Sequence, residues 1–277
     1  MSGDQLLASE SCHLVPWPGA EQCGFPAPNA EIFVFDPIAS FELLGITFNI
    51  TKPIVLMLIA AVIVVVFFVA IFRRAKVVPN RIQGVGEYGY LFVRDGIARD
   101  TIGKEGDKFV PMLFSMFFFI WVLNVMSIIP FAQFPVTSRF AIPLAFAVLV
   151  YLFWVPLGVK RQGAGPFFKG MTMPPDVPKL MYVLLIPIEV LSNFIVRPFT
   201  HSVRLFANMF AGHMLIVTFS VATWYLLSPS IIGVLGSAAS FAVTIGLTGF
   251  EMLIQALQAY VFTLLAAVYI NDAVNAH

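Results

Sequence analysis

The chain reads as long apolar runs separated by short charged segments. Pro53–Phe72, PIVLMLIAAVIVVVFFVAIF, has no charged residue and matches the roughly 20 residues that cross about 30 Å of hydrocarbon. It predicts a first membrane span at 53–72. Phe109–Ser138 is also free of charge and predicts a second span at about 112–131, with Pro130 and Pro135 marking the turn. A third is expected at about 140–159. After Leu180 the pattern changes. Leu180–Leu226 and Ile231–Asn271 are 47 and 41 residues long, divided by the turn Ser228-Pro229-Ser230. As helices they would measure about 70 and 60 Å, roughly twice the bilayer core. No polar cluster splits either stretch. The pattern therefore predicts a hairpin of two long, strongly tilted helices at 180–226 and 231–271, with Pro187, Pro198 and Gly212 permitting bends.

The charged segments orient these spans. Residues 73–108 hold eight Lys or Arg and residues 160–179 four more, whereas Lys52 and Arg139 stand alone at the opposite ends of the spans. The positive-inside rule assigns the two basic loops to the cytoplasm. Within the first, Asn80–Gly103 fits an amphipathic helix lying on the membrane surface, although Gly84, Gly86 and Gly89 disfavour helix. Residues 1–51 contain no Lys or Arg, six acids and the prolines Pro16, Pro18, Pro26 and Pro28, a composition against regular helix and without the pattern of a signal peptide. They read as a tail on the outer face, distinct from a membrane domain at 52–277. Five crossings then leave the N-terminus outside and the C-terminus in the cytoplasm.

Composition agrees with this pattern. The chain is 59% hydrophobic and 11% charged, against about 25% charged in soluble domains. The expected fold class is an all-α integral membrane protein: three roughly upright transmembrane helices, a cytoplasmic surface amphipathic segment and the tilted C-terminal hairpin. A net charge of +1 without a basic cluster speaks against nucleic acid. Cys12 and Cys23 are placed either to pair in an oxidising compartment or to remain thiols. No Cys/His metal spacing is present, and nothing calls for a cofactor.

Candidate chemistry concentrates in the hairpin. Its ionisable groups are Glu189, Arg197, His201, Arg204, His213 and Glu251, beside Asn193, Asn208, Gln255 and Gln258. From Leu205 to Phe250 there is no Asp, Glu, Lys or Arg, so Arg204 is a lone cation, an arrangement costing about 2.5–3.5 kcal/mol on insertion scales. Chains of acids and histidines within membranes mark proton relays. Helical phase puts Arg197, Thr200, Arg204, Asn208 and Ala211 on one face and His213 half a turn from Arg204, while Glu251, Gln255, Gln258 and Phe262 share one face of the final helix. In an antiparallel pair, Gln258 falls level with Arg204 and Glu251 with His213, with Glu189 on the opposite side of Arg204. Two sets of proton-exchanging groups thus flank a permanent cation. Simpler readings exist: a satisfied His213–Glu251 pair, snorkelling of Arg197, and an ordinary polar contact for His201. Asn124, the strong polar group of the second span, lines a polar pathway or makes an interhelical hydrogen bond, typically worth about 0.6 kcal/mol.

RPFTHSVRLFANMFAGH, Arg197–His213, resembles the signature of subunit a of F-type ATP synthases, whose Arg-Leu-Phe-Gly/Ala-Asn-Met run carries the essential arginine. FEMLIQALQAYVFTLLAAVYI, Phe250–Ile270, resembles that family's last helix, and IPIEVLSNF, Ile186–Phe194, the start of the preceding one. The resemblance, to bacterial members, covers about residues 50–277. It implies that Arg204 faces the c-ring carboxylate and that Asn208, His213, Glu251 and Gln258 line the outer half-channel, with Gln255 and Asn124 as pathway candidates and Glu189 at the inner half-channel. It also implies a non-catalytic subunit of the plasma-membrane complex, whose partners are the c-ring, subunit b of the peripheral stalk and lipid. Two features depart from the family pattern. Histidine lies on the penultimate helix and glutamate on the last, the reverse of many bacterial members. Glu189 stands one residue further from Pro198 than is usual, a phase shift of about 100°. The alternatives are a sodium-translocating form of this subunit or a proton-coupled secondary transporter, although no internal repeat of the kind transporters carry is visible. An intramembrane hydrolase lacks a nucleophile motif and the HExxH pattern.

Overall fold

The computed structural model describes residues 24–33, 35, 37–43, 46–73, 76, 80–129, 132–173, 178, 181–228 and 230–275. The Cys12–Cys23 pairing falls outside them. Chain order gives a short 3₁₀ turn (Ala30–Phe33), then strands β1 (Ala39–Leu43) and β2 (Ile46–Ile50). The helices are α1 (Lys52–Phe72), α2 (Arg81–Val93), α3 (Val110–Val125), α4 (Ala141–Gln162), α5 (Ala164–Thr172), α6 (Tyr182–Leu191), α7 (Arg197–Leu226) and α8 (Ile231–Val274). A π-helical turn, Ser192–Val196, joins α6 to α7, so Tyr182–Leu226 is one 45-residue rod beside the 44-residue α8.

The fold is an all-α membrane architecture with one small hairpin. α1 is apolar all round, begins with Pro53 in its first turn, and buries only Pro53, Leu56, Ala60 and Ile71. Its remaining surface is hydrocarbon that only lipid or another apolar chain satisfies. α3 buries Val110, Leu113, Phe117, Ile120, Leu123 and Asn124, a helical stripe turned towards α8. It stops at Val125 rather than 131. The expected span contained Pro130 in sequence, and a proline has no N–H with which to continue a helical ladder. α4 runs beyond the expected 159 to Gln162.

Three elements differ from expectation. Residues 39–50, read as irregular tail, form an antiparallel hairpin with Ala39 opposite Ile50 and Leu43 opposite Ile46. The alternating, β-branched ITFNI segment accounts for it. Residues 164–172, within the segment read as a loop, form α5; Pro166 lies in its first turn, where a missing N–H is harmless, and buried Phe167 packs 5.7 Å from the Trp154 ring. The segment is helical despite its glycines, and two of the three, Gly86 and Gly89, serve close packing. A Cβ at Gly86 would lie 2.9 Å from Ile71, and one at Gly89 would lie 2.8 Å from Phe118. Asn80 caps this helix by accepting from the Gln83 N–H at 2.8 Å.

The main core gathers where α3, α4 and α7 meet the second half of α8, around Leu113, Phe117, Trp154, Leu205, Met209 and Ile270. On α8, Ala259, Ala266, Ala267 and Ala273 are buried, and such small residues let helix backbones approach closely in lipid. α7 and α8 are antiparallel. Ser237 Oγ donates to the Thr223 carbonyl at 2.8 Å, Ser240 Oγ donates to that of Phe219 at 2.9 Å, and the His201 ring meets that of Phe262 at 3.8 Å. A second apolar cluster, at the β-hairpin end, joins Phe33 to Leu56, Leu123, Met126, Phe134 and Val136.

Candidate functional site

The antiparallel register brings Glu251 of α8 against Gly212 of α7, where a Cβ would lie 3.5 Å from the Glu251 carboxyl carbon. Glu251 is 3% exposed. Its Oε1 accepts from Ser127 Oγ and from Gln255 Nε2, both at 3.3 Å, and Oε2 has no partner. Gln255 Nε2 also donates to Ser127 Oγ at 2.6 Å. Behind this triad, Asn124 Nδ2 donates to the Gln255 carbonyl at 3.3 Å, and Thr137 Oγ1 donates to Asn124 Oδ1 at 2.7 Å. Asn124 is therefore an interhelical tie supporting the Glu251 cluster. Gln258 is buried on the same face of α8, one turn further along.

Two cavities share the Glu251 carboxylate as a wall. One, of about 330 Å³ at the β-hairpin end, is lined by Ser127, Gln133, His213, Ser220 and Thr248 as well as Glu251. The other, of about 180 Å³, is lined by Asn208, Ala211, Gly212, Leu215 and Phe250 together with Glu251. His213 and Glu251 thus face one space without forming a direct ion pair. The second cavity borders the open face of α7. There Thr200, Arg204, Ala207, Ala211 and Leu215 are exposed and Asn208 is half-buried. Arg204 makes no ion pair among the described residues, and its neighbours on this exposed stretch, Thr200, Ala207, Asn208 and Ala211, carry no charge.

A third cavity, of about 300 Å³, lies at the end carrying the basic loops and is lined by Trp154, Gln162, Glu189, Asn193, Arg197 and Asp272. Asn193 Nδ2 donates to Glu189 Oε2 at 3.2 Å and to the Met171 carbonyl at 2.9 Å. Arg197 lies 3.9 Å from Asp272. The π-turn decides which way Glu189 points. Within it the Arg197 N–H reaches back five residues to the Ser192 carbonyl, which absorbs one extra residue in a helix. The odd spacing between Glu189 and Pro198 is thereby accommodated, and Glu189 and Arg197 line the same cavity.

A model of the family described as ATP synthase A chain matches residues 54–271. The chain is 47% identical over 280 residues to ATP synthase subunit a of Streptomyces lividans, covering 99% of this chain and 95% of that one. The chain belongs to the ATP synthase A chain family. It is also 45% identical over 253 residues to ATP synthase subunit a of Frankia alni (90% and 86% of the two chains) and 41% identical over 266 residues to that of a Nocardioides species (92% and 95%).

Of the positions carried over to this family member, Glu251, Gln255 and Asn124 form one hydrogen-bonded cluster, His213 joins them across a cavity, and Asn208 lies on the far side of Glu251. Arg204 and Glu189 stand apart, on the open face and at the basic end. Sequence reasoning missed Ser127, Thr137 and Asp272. Ser127 and Thr137 lie beyond the end of α3, where helical phase carries no information. Asp272 lies beyond the position that the His201–Phe262 register sets level with Arg197, so counting equal heights does not reach it.

Proposed function

We infer that this chain is the stator subunit of a rotary ATP synthase and carries its proton path through the membrane sector, without catalysing a covalent step itself. A proton enters the cavity at the β-hairpin end, is exchanged between His213 and Glu251, and passes by way of the Asn208 cavity to a carboxylate on the c-ring. Neutralised, that carboxylate turns through lipid without the penalty of a buried charge. It returns to the basic-end cavity at Glu189 and Asn193 and releases the proton there. Arg204 favours the ionised carboxylate by opposite charge and stops protons from crossing directly between the two routes. Each proton delivers about 2.3 kcal/mol per 100 mV, so several serve one ATP.

The observation that carries this reading is an exposed Arg204 with no ion pair among the described residues, on a rod that carries the Asn208–Glu251 cavity towards one end and the Glu189–Asn193 cavity towards the other. Such a cation in lipid requires a counter-charge from elsewhere, and a ring of carboxylates supplies it. The lengths of α7 and α8 fit the same reading. At about 66 Å, α8 exceeds the roughly 30 Å core and must lie obliquely, which gives the hairpin a long flank for a curved ring. The β-hairpin side faces outwards and both basic loops face the cytoplasm of a bacterial plasma membrane, with subunit b of the peripheral stalk holding the chain in place. A secondary transporter and a sodium-translocating form find no support.

The test is Arg204→Ala in vesicles carrying the whole complex. ATP-driven proton pumping is expected to vanish while the complex remains assembled. Undiminished pumping would overturn the reading.

A further inference from the structure

His213 lines the uptake cavity, yet no hydrogen bond to another described residue fixes its ring. Among the described residues its ring neighbour is Phe33, at 5.8 Å between centroids and 68° between planes, an edge-to-face contact. Phe33 comes from the N-terminal segment ahead of the first span, and that segment is anchored. The Phe33 side chain is 7% exposed and also meets Phe210 at 4.7 Å and Phe134 at 5.8 Å. Its carbonyl accepts from Arg139 Nη2 at 2.9 Å and from Nε at 3.2 Å. Arg139 is one of the two cations outside the basic loops and the hairpin, and its guanidinium and the Lys52 ammonium both lie 5.6 Å from the Phe35 ring. A charged donor pair closing on one carbonyl is a strong, directional clamp.

We propose that Phe33, held by Arg139, is a positioning residue for His213. Phe33 then acts from behind His213, outside the lining of the proton-uptake cavity. An imidazole that takes a proton on one nitrogen and releases one from the other must hold its plane so that both reach polar space. Among the described residues no hydrogen bond holds either nitrogen, so within the protein packing orients the ring, and the edge-to-face contact is the directional part of that packing. The role rests on the proton route proposed above.

The test uses whole ATP synthase in liposomes, with ATP synthesis driven by an imposed pH gradient and normalised to the amount of assembled complex. Phe33→Leu keeps most of the volume and removes the ring edge. It is expected to slow synthesis two- to tenfold, the kinetic equivalent of the roughly 0.5–1.5 kcal/mol carried by such a contact. Phe33→Tyr keeps the ring and is expected to stay within twofold of the unaltered protein. Arg139→Gln leaves the Phe33 ring in place, weakens the clamp, and is expected to fall in the same two- to tenfold range. In a His213→Gln background, itself slowed, Phe33→Leu is expected to add nothing. An unaltered rate in Phe33→Leu, an equal loss in Phe33→Tyr, or the same fractional loss in both backgrounds would overturn the assignment. His213→Gln at full rate would remove the route itself, and the positioning role with it, whereas loss in that variant together with additivity leaves the route standing and removes only the role of Phe33.

Discussion

Replacing Glu251 with glutamine separates its chemistry from its packing. Glutamine keeps the side-chain length and presents Oε1 to the same two donors, Ser127 and Gln255, at 3.3 Å. The new amide nitrogen takes the place of Oε2, which has no partner, while the side chain still lines both cavities. Exchanging charged for neutral hydrogen bonds forfeits about 1 kcal/mol, so the complex should assemble and keep its thermal stability. What disappears is a group able to take and give a proton. Positioned acid–base groups are worth about 10²- to 10⁴-fold, and water in a 330 Å³ cavity substitutes in part. ATP synthesis under an imposed pH gradient should therefore fall about a hundredfold. Glu251→Asp is the counterpart. It keeps the acid but withdraws the carboxylate by about 1.5 Å, and bonds already at 3.3 Å do not survive that. It should lose tenfold or more as well. Synthesis at the unaltered rate in Glu251→Gln would refute the proton-transfer role and leave a packing role.

Further predictions concern the supports of the site. Asn124→Ala removes the ties to Thr137 and to the Gln255 carbonyl, each typically about 0.6 kcal/mol in membranes, and leaves a small void. A loss of about 1–3 kcal/mol in detergent unfolding is expected, with synthesis reduced less than tenfold; abolished synthesis at full stability would make Asn124 a pathway residue instead. Gly89→Val would drive a side chain into Phe118 and should cost about 1–3 kcal/mol by overpacking. Gly84→Ala meets no atom within 4 Å and should gain about 0.5–1 kcal/mol from helix propensity, both read by thermal unfolding of the complex. On the surface segment, the Arg99 guanidinium hydrogen-bonded to Asp107 holds that carboxyl below its ordinary value. Its contribution is complete above the unfolded carboxylate value of about 3.9 and is lost as pH falls through the lowered folded value. A spin label at Thr101→Cys should stay immobile from neutral pH to about pH 5, loosen only below about pH 4, and lose that step in Asp107→Asn.

Much of the membrane architecture was legible because hydrocarbon thickness imposes a length on apolar runs. The helix Lys52–Phe72 and both hairpin helices begin and end within a few residues of their apolar runs, since charge and the sequence Ser228-Pro229-Ser230 bound those runs. The second span was overextended because apolar character continues beyond Val125 while proline geometry does not. Residues 39–50 escaped notice because a two-stranded ribbon leaves only a short alternating signal. Gly86 and Gly89 of α2 misled because propensity registers their cost but not Ile71 and Phe118, which occupy the space they leave. Helical phase and register anticipated that His213 and Glu251 would face one space while Arg204 points to another face. Phase could not foresee Ser127 and Thr137, which lie beyond the regular helix, whereas the interhelical hydrogen bond of Asn124 was one of its two expected readings. Glu189 was uncertain for one reason: an α-helical count assumes a single uninterrupted frame, and the π-turn breaks it.

That turn, Ser192–Val196, divides the 45-residue rod into two reading frames. Everything before it faces about 100° away from where a count backwards from Arg204 would put it. A splice between relatives is therefore safe on either side of the turn and unsafe inside it, because a junction within 192–196 would carry one frame's sequence into the other's orientation. The same break works as a tolerance. A residue gained or lost upstream can be taken up locally, so the length of the rod can drift while Arg204 keeps its bearing.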